Sequence, residues 1–238
     1  MVISNEKTVG ELAAEIPAAA RVFEKYGIDY CCGGKHPVET ACRERGIAPE
    51  QVLEELEQAA EPKPETADRD WNAATLRELV EHILAKHHAY LKTELPRLEQ
   101  MFAKVVQAHG AREPRLAEAF EVYGMLKEEL ESHMMKEEMI LFPAIVKLET
   151  PSPRGCGSGF CGGSIQHPIA RMEHEHDDAG RALQQMRHLT FDYLIPDEAC
   201  NTYRALFHGL EEMEADLHQH IHLENNILFP RAAALESA

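Results

Sequence analysis

His133-Met134-Met135-Lys136-Glu137-Glu138-Met139-Ile140-Leu141-Phe142-Pro143 and His220-Ile221-His222-Leu223-Glu224-Asn225-Asn226-Ile227-Leu228-Phe229-Pro230 are two copies of one pattern. Each reads His, three residues, Glu, two residues, then Ile-Leu-Phe-Pro, and in each the proline follows the histidine by ten residues. Self-similarity in strict register marks a duplicated structural unit. Residues four apart share one face of a helix, so each His-x3-Glu offers an imidazole and a carboxylate to one point. One such pair alone is ordinarily solvent-facing; two in register on apolar faces argue for a site. His133 and Glu137 continue the stripe Leu126, Leu130, Ile140, and His220 and Glu224 continue Met213, Leu217, Ile227. Burying these groups unpaired is costly, so the pattern predicts polar chemistry inside packed helices.

A further histidine precedes each motif at a matched distance: His88 lies 45 residues before His133, and His176 lies 44 before His220. The repeating unit is therefore a helical hairpin, and two hairpins bring two sets of His, His and Glu into one bundle. If Glu137 and Glu224 both bridge, each of two ions has four protein donors. An octahedron then keeps about two positions for an oxo or hydroxo bridge and a small ligand. Imidazole and carboxylate without thiolate suit iron, manganese or zinc, and bridging carboxylates in a bundle favour a pair of iron ions over structural zinc. Glu129 and Asp216, four residues before the motif histidines, are expected to accept ligand N–H bonds or offset charge. Spacing alone leaves His87 and His88 tied. His176 aligns with Ile169, Met172 and Leu183, whereas His174 faces Arg171, Asp177, Asp178 and Arg181 and is expected in solvent. His82, His109, His167, His188 and His208 read as surface or supporting residues.

The surrounding chain is helical. From Trp71, apolar residues at 76, 79, 80, 83, 84, 91, 95 and 98 keep the spacing of a buried stripe, with Pro96 a point of kinking. Helices are expected to end near Pro143, Leu189 and Pro230, with no alternating strand pattern between them. The Gly-, Ser- and Pro-rich stretch 150–163 is the crossover between hairpins. Residues 71–238 thus read as an all-α four-helix bundle. Residues 61–70, with Pro62 and Pro64, read as a linker, and residues 1–60 as a small helical domain. In that domain Thr8-Val9-Gly10-Glu11 is a capping box, Pro17 suits a first helical turn, Gly27 suits a helix end and Pro49 opens a further helix.

With 238 residues and 44% hydrophobic content the chain can bury a full core, and 24 basic against 41 acidic residues give a formal charge of −17. Such a surface repels phosphate backbones and anionic lipid, which argues against nucleic acid and membrane partners. The first ten residues lack the basic flank and apolar stretch of a signal peptide, and a cytoplasmic location is expected. Six cysteines, at 31, 32, 42, 156, 161 and 200, are too few and too unevenly spread for a disulfide framework. Tyr30-Cys31-Cys32-Gly33-Gly34 sets adjacent thiols in a turn. A disulfide between neighbours strains the backbone, so thiol exchange, a transient metal or nitrosyl site, or an intermolecular link are the functional readings, against two small turn residues as the plain one. Cys156 and Cys161 fall in the flexible-looking crossover, and Cys42 and Cys200 read as ordinary buried or half-buried thiols.

Asp29-Tyr30-Cys31-Cys32-Gly33-Gly34, Ser132 through Glu138 with Ile140-Leu141-Phe142-Pro143, Glu175-His176-Asp177-Asp178-Ala179-Gly180, and His220 through Glu224-Asn225-Asn226 to Pro230 together resemble the iron–sulfur cluster repair di-iron proteins, in which a ScdA-type N-terminal domain precedes a hemerythrin-like domain. The resemblance covers nearly the whole chain. It implies an oxo-bridged di-iron centre, in a cytoplasmic protein that restores clusters damaged by nitric oxide or peroxide. It also implies His88 over His87, hence a ligand set of His88, His133, Glu137, His176, His220 and Glu224, with Glu129 and Glu175 lining the cavity or an iron path. Damaged iron–sulfur proteins or a scaffold would be partners, nitric oxide or dioxygen small ligands, and a homodimer the assembly. Cys31 and Cys32 would assist by thiol chemistry or target contact. The rival readings are a di-iron enzyme reducing nitric oxide or peroxide, and a hemerythrin-like protein that binds or senses oxygen or nitric oxide. The crossover cysteines are not shared with the family pattern, and the symmetrical two-His, shared-Glu arrangement departs from the more histidine-rich set of oxygen-carrying hemerythrins.

Overall fold

A computed structural model describes residues 7–16, 18–31, 33–60, 69–149 and 164–237. Expectations for Pro17, Cys32, Cys156, Cys161, the crossover 150–163 and most of the linker lie outside them. The described residues are all-α, and no helix among them is long and apolar enough to cross a membrane. The elements are α1 (Val9–Glu15), α2 (Ala19–Lys25), α3 (Val38–Glu44), α4 (Pro49–Ala60), α5 (Leu76–Ile83), α6 (Ala89–His109), α7 (Arg115–Lys136), α8 (Phe142–Leu148), α9 (Gln166–Thr190), α10 (Asn201–His222) and α11 (Phe229–Ser237). The chain divides into two compact units, residues 81–144 with 166–217, and residues 1–80 with 145–165 and 218–238.

The first unit is the helical bundle. One core takes Leu95, Leu98 and Phe102 from α6, Leu116, Tyr123 and Leu126 from α7, Leu183 and Met186 from α9, and Phe207, Leu210 and Leu217 from α10, all at most 5% exposed. Burying such side chains contributes about 1.5–3 kcal/mol each, which is what holds amphipathic helices side by side. Pro96 lies inside α6, and the helix runs on through it.

In the second unit α1 opens with the expected capping box: Thr8 N–H donates to Glu11 Oε2 at 2.8 Å and Glu11 N–H to Thr8 Oγ1 at 3.2 Å. Gly27 closes α2 at φ +62°, a left-handed conformation that glycine adopts without strain. Val9, Leu12, Phe23, Tyr30, Val38, Val52 and Leu56 form its N-terminal core. Asn226 Nδ2 donates to Tyr30 O at 3.0 Å, and a Cβ on Gly10 would meet Asn226 Oδ1 at 2.5 Å, so α1 packs this closely on the segment Leu223–Leu228 only because residue 10 is glycine.

The helices do not stop at the Phe-Pro pairs. Glu137–Leu141 and Leu223–Leu228 are π-helical segments, after which α8 and α11 carry on, and a third such segment, Leu84–His88, joins α5 to α6. Phe142 N–H donates to Glu137 O and Phe229 N–H to Glu224 O, five residues back. The prolines that follow have no N–H to offer, so the ladder reopens there and proline sits within a first turn, where it is tolerated. The wider turn also corrects one stripe residue. Ile140 is 51% exposed while Leu141 takes the inward place.

Candidate metal centre

Each π-helical segment carries, at its end or start, one of the sequence-predicted ligands: His88, Glu137 and Glu224. Short π segments are departures from the α-helical optimum that recur at functional sites, where they re-aim side chains. His176 comes from the uninterrupted α9. His88, His133, Glu137, His176, His220 and Glu224 are all at most 3% exposed.

Within the bundle unit, four of these side chains converge. Nε2 of His88 and Nε2 of His133 each lie 3.4 Å from the same oxygen, Glu137 Oε2. His176 Nε2 lies 3.1 Å from His133 Nε2. The far side of two rings is tied down: His88 Nδ1–H donates to Glu138 Oε1 at 2.8 Å, and His133 Nδ1–H donates to Glu175 Oε2 at 3.0 Å. A neutral ring whose Nδ1 donates presents a lone pair at Nε2. Two such lone pairs facing one carboxylate oxygen, in a buried setting, repel unless a cation or protons lie among them. Ligand atoms of His133, Glu137 and His176 lie within 4.8 Å of one another, and all are nitrogen or oxygen, which fits iron, manganese or zinc. In the second unit His220 Nε2 and Glu224 Oε1 lie 3.0 Å apart.

The carboxylates behind the rings are themselves held by cations. Glu138 accepts from Lys92 Nζ at 2.6 and 2.8 Å. Burial raises its affinity for a proton, but bonds from Lys92 and His88 outweigh that and hold the carboxyl below its usual range. Glu175 Oε1 accepts from Lys136 Nζ at 2.6 Å and Arg171 Nε at 2.7 Å. The bond from His133, with Lys136 and Arg171, keeps Glu175 far below the ordinary carboxylate range. A carboxylate that stays charged fixes the ring orientation and makes the facing nitrogen a better donor to metal.

Other predicted residues fall as follows. Glu129 is exposed on a groove wall shared with Glu175, and it is Glu175 rather than Glu129 that holds His133. Asp216 is engaged from a neighbouring helix by His87, whose Nδ1–H donates to Asp216 Oδ1 at 2.9 Å. The physical reason is helical direction: side chains a turn apart on one helix stack along it, whereas a ring nitrogen pointing across the bundle meets a carboxylate from a neighbouring helix. His87 is fully buried beside His82, with ring centroids 5.8 Å apart, and His174 is exposed near Asp178. Cys31 is buried, and its N–H donates to Asp29 Oδ1 at 3.0 Å. Next to it, Tyr30 packs edge-on against His222 at 5.4 Å, and burial pushes the His222 imidazole down to about 4. The loop bearing Cys31 thus rests on the helical segment that carries His220 and Glu224. Cys42 is buried as expected, but Cys200 is exposed. The sequence reading missed Glu138, Lys92, Lys136 and Arg171; one signal for Glu138 was available, the departure from the repeat that places Glu138 where the second copy has Asn225.

A helical bundle with buried, cross-braced His and Glu side chains defines a hemerythrin-type cation-binding protein. Residues 79–232 match the hemerythrin HHE cation binding domain, and residues 5–60 match the ScdA_N domain of unknown function (DUF542). The chain is 42% identical over 232 residues to the iron-sulfur cluster repair protein YtfE of Citrobacter koseri, and 42% identical over 232 residues to that of Escherichia coli O157:H7, covering 97% of this chain and 98% of each relative. The chain belongs to the family of the iron–sulfur cluster repair proteins.

Proposed function

We propose that this protein binds two iron ions and repairs iron–sulfur clusters damaged by nitrosative or oxidative stress. The donors would be His88, His133, Glu137, His176, His220 and Glu224, the set the family resemblance implies, with Glu137 and Glu224 shared between the ions. The observation that carries this reading is the pair of buried imidazole nitrogens, each braced from behind by a carboxylate, that face a single oxygen of Glu137 at 3.4 Å. Bound iron would supply exchangeable cations and an open position for a small ligand such as nitric oxide or dioxygen. The protein's own side chains orient the donors and bury them away from bulk water.

The role follows from the relatives, which are iron-sulfur cluster repair proteins. Damaged iron–sulfur proteins or an assembly scaffold are the partners, in the cytoplasm, and a homodimer is the assembly. Residues 1–60 form a ScdA-type domain whose Cys31 and Cys32 assist by thiol chemistry or target contact. Residues 61–70 link it to the hemerythrin-like bundle, residues 71–238.

Iron content per chain, with the visible spectrum of protein from iron-replete cells, tests the centre. About two irons with oxo-bridge-to-iron absorption are expected. Reactivation of a nitric-oxide-damaged iron–sulfur enzyme by iron-loaded but not iron-stripped protein tests the role. Zinc, or no stoichiometric metal, overturns the first; equal reactivation by both forms overturns the second.

A further inference from the structure

Cys200 and His109 form a pair that the metal centre does not use. Cys200 immediately precedes α10, a helix of 22 residues, and its carbonyl accepts the first helical bond, from Arg204 N–H at 3.1 Å. It therefore occupies the capping place where Ser, Thr, Asp or Asn usually satisfies the open N–H groups. The N-terminal end of a helix also favours negative charge there. His109, the last residue of α6, sets Nε2 3.4 Å from Cys200 Sγ, within reach to accept the thiol proton.

The imidazole is positioned rather than loose. Its ring lies edge-on to Tyr203 at 5.2 Å, and Tyr203 is 2% exposed with its hydroxyl donating to Glu113 Oε2 at 2.9 Å. The loop before Cys200 is pinned by Arg204, whose Nε donates to Ala199 O at 3.2 Å and Nη2 to Asp197 O at 3.0 Å. Other charges nearby along these elements are Glu113 and the exposed pair Arg112 and Glu198, 3.9 Å apart. His109, then the Tyr203 and Thr202 N–H groups, draw the thiol below its usual range. A nucleophile in reach of a base that a third residue orients is the arrangement of an activated thiol. Cys42, by contrast, is buried and pushed upward by burial.

We infer that Cys200 and His109 are a reactive-thiol site, whose substrate is hydrogen peroxide and whose product is a sulfenic acid on Cys200. The Cys200 proton passes to His109 Nε2, and the thiolate attacks one peroxide oxygen. The S–O bond forms as the O–O bond breaks, and the leaving hydroxide takes the proton from His109 and departs as water. The sulfur loses two electrons and peroxide gains them.

The test is residue-resolved mass spectrometry on the full-length protein. Iodoacetamide labelling of the Cys200 peptide, followed against pH, should reach half its maximal rate below the ordinary thiol value of about 8.5. His109→Gln should slow labelling at pH 7 roughly three- to tenfold. Peroxide followed by dimedone should place the sulfenic adduct on Cys200, and much less of it in His109→Gln. The wild-type pH profile keeps the test decisive if that variant misfolds. A profile centred at the ordinary value, labelling unchanged by His109→Gln in folded protein, or no dimedone adduct on Cys200 would each overturn the inference.

Discussion

His133 Nδ1–H donates to Glu175 Oε2 at 3.0 Å, while the other oxygen of Glu175 is gripped by Lys136 and Arg171. His88, Glu138 and Lys92 repeat the arrangement with a single cation. Both rings are thus set from outside the centre, and the cost of ordering them is met before metal arrives. Glu175→Gln should weaken iron binding about 10- to 100-fold, the usual effect of losing such a support. Competition with a calibrated chelator measures it, and affinity within twofold of wild type would reduce Glu175 to a surface ion-pair residue.

Removing a carboxylate proposed to be shared between the ions should do more. Glu137→Ala or Glu224→Ala should lose most of the iron, whereas His174→Ala, on the exposed face of α9, should leave iron content near normal. Elemental analysis of the three purified variants checks this, and equal loss from all three would refute the face assignment.

Iron stripping should lower the melting temperature, because ligand-bound folded protein is stabilised by mass action and the buried donors then face one another without a cation. Calorimetry before and after chelation, then with iron restored, should show a loss and a recovery. Identical melting curves would mean that metal is not what these side chains are arranged for.

Glu78 gives a pH-dependent test. Its Oε2 accepts from Thr75 N–H at 2.9 Å at the start of α5 and its Oε1 from Arg69 Nη2 at 2.6 Å. The backbone N–H of Thr75, then Arg69 and the Thr75 hydroxyl, bring Glu78 down to about 2. The folded chain therefore binds this proton less readily than the unfolded one, so the contribution is full above about 4.3 and is lost as pH falls toward 2. Glu78→Gln should melt earlier than wild type at pH 7, with the gap closing across that window. A gap that stays constant with pH would contradict the assignment.

Changing Cys31 and Cys32 together to Ser should spare iron content, since neither residue is among the six proposed donors, yet impair cluster repair. Repair at the wild-type rate would return both to simple turn residues.

The bundle and the candidate donors on its inner faces are legible because their signal is local. Leu126, Leu130, His133 and Glu137 fall on one face by helical period alone, and a second copy around His220 and Glu224 repeats the statement in register. The capping box at Thr8 and the helix end at Gly27 are equally local, since a short side chain or an absent Cβ decides them. What lay beyond reach depends on which residues from distant parts of the chain meet. Periodicity cannot tell that His88 turns its Nδ1 to Glu138, 50 residues on, or that His133 finds Glu175 rather than Glu129. Nor does it show that Tyr30 rests on Asn226, 196 residues away, or that His109 and Cys200, 91 apart, share a hydrogen bond. The π-helical turns escape for a related reason: a pattern read at 3.6 residues per turn has no place for the extra residue that lets Glu137 and Glu224 turn inward just before proline interrupts the ladder. Helical period is written into neighbouring residues, whereas the partner of a buried polar atom is chosen by the packing of whole helices.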